Sequence, residues 1–594
     1  MPTSASPADA NLQRLDPFGL EIVSEALIAI SDEMFVTTQR TSQSTIIYEV
    51  LDFAVGLTDA EGGLITQGNG VTLFLGTLGP GVRASLDRFG LEGIAEGDIL
   101  LTNDPYGGGG THLSDVTVLM PIFVEGELVS FAINKAHWTE VGGKDPGSVS
   151  TNTTEIYQEG LQFPVVKLYD AGVPNVAVFD VIAANVRVPT MSIGDLHAQL
   201  ASVRLAARRF QELADKYGIA FVQASIARMR ARSVELTQRE LERLPAGVYE
   251  VEDWVDADEH GGPYRICVKV TISPDAFVCD FTGTHGQLLT PMNCTRTALK
   301  SAVQLIFKSL TGPELPLNEG VFDRLEVICP DRTMFTAERP APVSTYWEVL
   351  VRISDLVWKA LAEAVPARTT AGHFLSLCCD LISGNHPDSD ELFILFEPNA
   401  GGWGAGQGKD GERALVSIGD GETYMIPVEV AEQKYGVVVE QYRLNTTSAG
   451  AGKWRGGEGI VKDYRITAEA VTVTGIIGRH EFPAWGAAGG QDGSPNEMHF
   501  IYADGRPPEV TGMISGVTLH RGDIVRVVTG SGGGWGEPLE RDPALVAGDV
   551  RNGFVTVDDA DAIYGVDVDP QTFAVSALSE RRSTPVTRDE GSRS

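Results

Sequence analysis

A multidomain α+β protein (mixed α/β), rich in antiparallel strands and crossed by long amphipathic helices, is the fold class this sequence predicts. Three observations predict it. The chain has 594 residues, too many for one core, and at about 150 residues per domain it divides into roughly three or four. Apolar residues recur at helical spacing in a few long windows and alternate with period two in many short ones. With 43% hydrophobic and 21% charged residues, the composition is that of a folded globular chain.

Taken in order, residues 1–17 predict a disordered N-terminus and 18–41 a long amphipathic helix that closes on Thr-Gln-Arg-Thr. IIYEVLDFAVGLTDAEGGLIT predicts two short strands joined by an Asp-Ala-Glu-Gly-Gly turn, with Asp52 inside the first. From Asn103 to His137 a glycine-dense loop leads into a strand, a turn at Glu125-Gly126-Glu127 and a second strand ending at His137. Residues 195–243 predict a pair of helices broken near Gly218, and from Gly247 the period changes to that of a β meander. Helices return at about 295–311 and 347–366, the latter stopped by Pro366. Beyond 390 the chain is strand- and glycine-rich, and it ends in a tail of disordered composition. The expected domains are a metal-site α/β domain (18–245), an α+β domain with the meander and helices (246–390) and a glycine-rich β domain (391–570), followed by a disordered tail (571–594).

Charge and cysteine usage exclude several functions. Acidic side chains outnumber basic ones 80 to 46, a formal charge of −34, which argues against a nucleic acid or an anionic membrane surface as partner. Six cysteines without a CxxC pair argue against a zinc ribbon and fit free thiols in a reducing cytoplasm. The N-terminal residues lack the basic start and apolar run of a signal peptide, and no apolar run approaches the roughly 18 residues of a membrane span. A cytoplasmic location is expected. The glycine-rich loops invite a nucleotide reading that fails on inspection. Gly408-Lys409 precedes Asp410 and Gly452-Lys453 precedes Trp454, so no Ser or Thr follows the lysine. Trp403 and Thr447 stand where a Walker A loop has its first glycine. The GSGGGWG segment opens no helix, and tight turns are the expected role of these glycines.

Four side chains suit a metal. Asp52, His112, Asp115 and His137 combine imidazole with carboxylate, the ligands of a borderline divalent ion, and a hairpin can return residue 137 beside residue 112. A carboxylate inside an apolar run, as Asp52 is, needs a hydrogen bond, a cation or a metal. Zn, Mn and Fe all suit this set. Glu140 follows as a partner to a ligand or as a general base. Glu155 and Glu159, four apart, would share one face of a helical turn, where one of them could orient a ligating histidine or move a proton.

These residues carry a resemblance. NDPYGGGGTHLSDVTVLMPIF, HWTEVGGKDPGS and TEIYQEGLQFPVVKL resemble the hydantoinase B/5-oxoprolinase family. So do GTHGQLLTPMNCT, RPAPVST, GGWGAGQGKDG, IPVEVAEQKYG, SAGAGKWRGGEGI and GSGGGWGEPLERDP, so the likeness covers about 18 to 565. It implies a B-type subunit that binds a divalent metal through Asp52, His112, Asp115 and His137. It also implies a separate A-type ATPase subunit that binds the ATP, and an (AB)2 hetero-oligomer. The implied reaction is ATP-dependent hydrolysis of a small cyclic amide such as a hydantoin, 5-oxoproline or a lactam. ATP is needed because an unstrained amide has a poor leaving group, and phosphorylating its oxygen removes that difficulty. Carboxylation of a ketone of the acetone or acetophenone type is the alternative, and a metal-free structural subunit a third reading. The chain departs from the family pattern at Gly70 and Phe74, where many members have histidines, and at Trp138 and Glu140 after His137. A tryptophan beside the metal favours an aromatic or hydrophobic substrate over the hydantoin ring.

Overall fold

The computed structural model describes residues 16–583. Residues 1–15 and 584–594, the ends of the two expected disordered segments, lie outside them. Asp16 caps helix α1 (Pro17–Thr41) by accepting Phe18 N and Gly19 N at 3.2 and 3.1 Å, and Pro17 opens the first turn. Its inner stripe is Val23, Leu27, Ile30 and Met34. The next apolar residues differ from expectation. Thr45–Tyr48 form one helical turn, α2, not the start of a strand. Ile46 and Ile47 are both buried, which a helical turn allows and a strand with one solvent face does not. Leu51, at φ 66°, then turns the chain into β1 (Phe53–Asp59) and β2 (Leu64–Gln67), so Asp52 precedes the strand.

Helix α3 (Leu78–Phe89), β3 (Ile99–Thr102), β4 (Asp115–Val124) and β5 (Glu127–His137) follow. The β4–β5 turn has positive φ at both Glu125 (54°) and Gly126 (84°), the twist that suits a tight antiparallel hairpin. With β6 (Val166–Asp170) and β7 (Val173–Pro174) these strands make a seven-stranded antiparallel sheet of order β2-β1-β5-β4-β3-β6-β7. Helix α4 (Val176–Asn185) leads to α5 (Pro189–Tyr217) and α6 (Ile219–Leu241), which break at Gly218 as expected. Helix α5 lies across β4 and β5 and also packs on α1.

The meander is β8 (Gly247–Val255), β9 (Tyr264–Ile272) and β10 (Phe277–Asp280). Helix α7 (Arg296–Thr311) and β11 (Leu325–Ile328) follow, β11 pairing parallel to β10. Helix α8 (Tyr346–Leu361) packs on α7, β8 and β9 and ends before Pro366. The expected boundary at 390 falls inside a hairpin: β12 (Cys379–Asn385) pairs with β13 (Leu392–Glu397), so this sheet begins earlier in the chain. After α9 (Val428–Lys434) come β14 (Val437–Leu444), β15 (Ile460–Ile466), β16 (Ala470–Ile476), β17 (Glu497–Ile501), β18 (Glu509–Thr511), β19 (Met513–His520) and β20 (Ile524–Val528). They form two antiparallel sheets, β13-β12-β16-β19 and β14-β15-β20-β17-β18. Helices α10 (Pro543–Arg551) and α11 (Val557–Ala562) lead to β21 (Val566–Val568). This strand pairs with β22 (Val575–Leu578), so the expected tail starts too early at 571. One contiguous apolar core runs from Val23 to Val527, all six cysteines are free, and five of them are buried.

Gly408, at φ 103° between the paired Gly406 and Lys409, sits in a tight turn as expected, but the close-packed glycines of these segments do not. Gly402, Gly456, Gly457, Gly532 and Gly533 have no positive φ; they are extended strips laid against one another. Gly402 N donates to Gly530 O (3.0 Å), Gly532 N to Gly457 O (2.9 Å) and Gly457 N to Trp403 O (2.9 Å). A Cβ on Gly457 would lie 1.8 Å from Glu412 O and one on Gly532 2.0 Å from Trp403 O. Glycine is required because backbone meets backbone there.

Candidate metal centre

Three strands bring the candidate ligands to one end of the large sheet. Asp115, first in β4, and His137, last in β5, are cross-strand partners. His137 N donates to Asp52 O at 3.0 Å, which sets Asp52 beside them. His112 arrives from the glycine-dense loop, which folds back on Asp104: Gly108 N and Gly110 N both donate to Asp104 O, at 3.1 and 3.0 Å. Gly109, at φ 77°, passes so close to α3 that a Cβ would sit 2.6 Å from Gly81 N.

His112, Asp115 and His137 are buried, with metal-binding atoms converging on one point. His112 Nε2 lies 3.0 Å from Asp115 Oδ1 and 3.2 Å from His137 Nδ1, and His137 Nδ1 lies 3.3 Å from Asp115 Oδ1. Ligands about 2.0–2.1 Å from a tetrahedral ion stand about 3.3–3.4 Å apart, close to this triangle. Asp52 stands one step back, its carboxylate 3.9 Å from His137 Nδ1. Burial pushes the Asp52 carboxyl up to about 7, against the pull of His137.

The protonation pattern calls for a cation. His112 Nδ1 lies 3.1 Å from Ser344 O, a pure acceptor, so Nδ1 carries a proton, and in the neutral ring Nε2 presents a lone pair to the Asp115 carboxylate. His137 can supply at most one proton to this triangle, which leaves a lone pair facing a carboxylate. Among the described residues, Asp115 Oδ1 and His137 Nε2 have no hydrogen-bond partner. The other carboxylate oxygen, Asp115 Oδ2, is fixed by the Thr111 hydroxyl and by Tyr346 OH at 3.1 Å. Lys135, buried beneath the cluster on β5, donates to Gly109 O, and burial lowers its pKa to about 8. The donor set fits one divalent ion.

The glutamates divide. Glu140 is buried but turned away from the cluster: it accepts Gly142 N (2.7 Å), Gly147 N (2.9 Å), Ser148 Oγ (3.2 Å) and Arg187 Nη1 (2.8 Å). With its oxygens so occupied it ties the 140–148 loop, and the expected base role has no geometry behind it. Glu155 and Glu159 do not share a helical face. The segment is a single 3₁₀ turn, Ile156–Gln158, with Glu155 exposed and extended before it and Glu159 buried after it. Glu159 accepts Val343 N and Ser344 N, both at 3.0 Å, and thereby holds the residue whose carbonyl fixes His112. Burial raises its pKa to about 8 against these bonds. Trp138 also differs from expectation: its indole donates to Gln199 Oε1 at 2.9 Å within the core, not beside the ligands. Gly70 stands where a Cβ would meet Phe53 O at 2.3 Å.

Sequence reasoning missed the rest of the cavity. Tyr346 and Trp347 open α8, Phe396 is the last residue but one of β13 and stacks on His137 at 5.1 Å, and Asp420 and Thr423 come from the loop before α9. They enclose a space of about 30 Å³ beside the ligands, room for two or three waters. The Ser-Thr-Tyr-Trp run after RPAPV was the available signal; Asp420-Gly421 carries no signal beyond that of a turn.

Comparison with known proteins adds four findings. Residues 16–538 match the hydantoinase B/oxoprolinase family. The chain is 31% identical over 577 residues to the caprolactamase subunit beta of Pseudomonas jessenii, covering 94% of this chain and 97% of that one. It superposes on the crystal structure of the ATP-dependent caprolactamase from that organism with a TM-score of 0.87 at 28% identity, covering 96% and 99% of the two chains. A nucleotide-free acetone carboxylase gives a TM-score of 0.88 at 20% identity, over 96% of this chain and 82% of that one, which is a likeness of fold.

Proposed function

The chain belongs to the hydantoinase B/oxoprolinase family, and from that premise we propose that it is the metal-binding subunit of an ATP-dependent enzyme that opens a cyclic amide together with a separate ATPase subunit. The observation that carries this reading is the buried His112/Asp115/His137 triangle, with its unpartnered carboxylate oxygen and externally fixed tautomer. A divalent ion held there, Zn, Mn or Fe, would polarise the substrate carbonyl or lower the pKa of a bound water. The chain's own residues do the rest. His112, Asp115 and His137 would hold the ion, with Asp52 as fourth ligand or proton acceptor. Thr111 and Tyr346 orient Asp115, while Phe396 and Trp347 wall the cavity. The relative at 31% identity is named for a lactam; the likeness to acetone carboxylase is one of fold, so the ketone reading stands second.

Two features support a partner. The relative is named as a subunit, and helix α4 leaves Val176 and Val181 exposed, at 61% and 49%, in the apolar run VAVFDVIAA. An apolar helix face left exposed in this way is where a partner chain would pack. No helix among the described residues is long and apolar enough to cross a membrane. The test is reconstitution with the ATPase subunit. ATP-dependent release of a ring-opened acid from a lactam, lost together with bound metal in His112→Ala, is expected. Bicarbonate consumption with a ketone and none with any lactam would overturn the reading.

A further inference from the structure

The cavity has two walls. The metal triangle is one, and the other is built by the first turn of α8 and the loop Ile418–Tyr424. This second wall carries three buried polar groups for which the described residues offer no partner: Asp420 Oδ2, Thr423 Oγ1 and the indole N–H of Trp347. Their residues are 4%, 6% and 3% exposed. Buried polar atoms are almost always hydrogen-bonded, so three without partners around one cavity point to a ligand that satisfies them.

The loop is held in place rather than draped over the site. Leu73 N donates to Gly419 O (3.1 Å), Thr72 Oγ1 to Ile418 O (2.6 Å) and Tyr424 N to Val50 O (3.1 Å). On either side of Asp420, a Cβ on Gly419 would meet Leu73 at 2.9 Å and one on Gly421 would meet Gly70 O at 2.5 Å. Trp347 is fixed edge-on to His112, with ring centroids 5.4 Å apart.

The hydrogen-bond inventory of this wall is specific. An indole can only donate, a threonine hydroxyl does either, and the Asp420 carboxyl, raised by burial to about 8, still accepts on one oxygen when the other carries a proton. The complementary ligand therefore has a carbonyl-type acceptor and an N–H donor close together. A secondary cyclic amide has both; a ketone has the acceptor alone. We propose that Asp420, Thr423 and Trp347 form the substrate-reading wall of this site, and that Asp420 accepts the ring N–H of a secondary lactam. This inference rests on the cyclic-amide reading above and deepens it.

The test compares a secondary lactam with its N-methyl analogue, using the chain assembled with its ATPase subunit. In Asp420→Ala, kcat/KM for the N–H lactam should fall about 10- to 100-fold, the N-methyl lactam should change less than about 3-fold, and metal content should be unchanged. Asp420→Asn, which keeps an acceptor, should recover part of the loss. Thr423→Val, nearly isosteric, should cost about 10-fold and guards against misfolding of the alanine variant. An equal fall for both lactams, or loss of metal in the Asp420 variants, would overturn the inference while leaving the cyclic-amide reading in place. Wild-type complex that turns over no lactam but carboxylates a ketone would overturn both.

Discussion

At His112 the tautomer is set from outside the site. Ser344 O takes the Nδ1 proton, and Glu159 holds the Val343–Ser344 backbone that places that oxygen. Glu159 is therefore a positioning residue, and removing such outer partners typically weakens metal affinity about 10- to 100-fold. Glu159→Gln keeps the size of the side chain and one acceptor oxygen, so about a 10-fold loss, read by competition with a chelator, is the expected result. Affinity equal to wild type would leave Ser344 positioned by Ser150 alone, whose carbonyl accepts the Ser344 hydroxyl at 2.7 Å. Glu140 should behave differently. Its four donors lie in the 140–148 loop and on Arg187, so Glu140→Gln should lower stability by about 2 kcal/mol, with turnover per folded molecule unchanged. A 100-fold fall in turnover at normal stability and metal content would restore it as a base.

Among the elements, those with local signals were legible in sequence. The β4–β5 hairpin showed as two apolar runs around Glu125-Gly126, and α1 as a helical stripe closed by a polar end. That hairpin alone brings Asp115 and His137 together, which is why the ligand set could be read from spacing. The second wall could not. Trp347, Phe396 and Asp420 come from a helix, a strand end and a loop far apart in sequence, and long-range packing leaves no periodic trace in any of them. The short helix α2 was hidden because its isoleucines favour strand and only burial on both sides turns them helical. The glycine strips misled for a related reason: glycine marks turns and close backbone approaches alike. Substitution separates the two roles. Gly532→Ala forces a Cβ to 2.0 Å from a carbonyl oxygen and should cost several kcal/mol or prevent folding. Gly548→Ala, inside helix α10 with open space around it, should stabilise by up to about 1 kcal/mol. Equal effects in a thermal melt would mean that the strips do not pack as described.

For the molecule as a whole, buried acids couple folding to pH. Burial raises Glu159 and Glu348 to about 8 and Asp380 to about 7, far above ordinary carboxyls. Between about pH 4.5, where the unfolded groups ionise, and pH 8, the folded chain binds more protons than the unfolded one. Stability contributed by these groups is therefore present at low pH and lost as pH rises through 7 and 8. His373 acts at the other end. Buried, it is lowered to about 3, so its contribution is present above the ordinary histidine value and is lost as pH falls toward 3. Together they place greatest stability of the metal-free chain on the acid side of neutrality, with Tm falling from pH 6 to pH 8. Glu348 is the residue to change, because it is not one of the candidate metal ligands. Ser376 Oγ and Leu377 N donate to it, with Asp256 raising it further and Arg352 opposing. Glu348→Gln should flatten the decline in Tm between pH 6 and 8 while leaving the melt at pH 5 within about 2 °C of wild type, because at pH 5 both side chains are neutral. A decline as steep as that of wild type would show that Glu348 is already ionised in the fold, its charge balanced by Arg352.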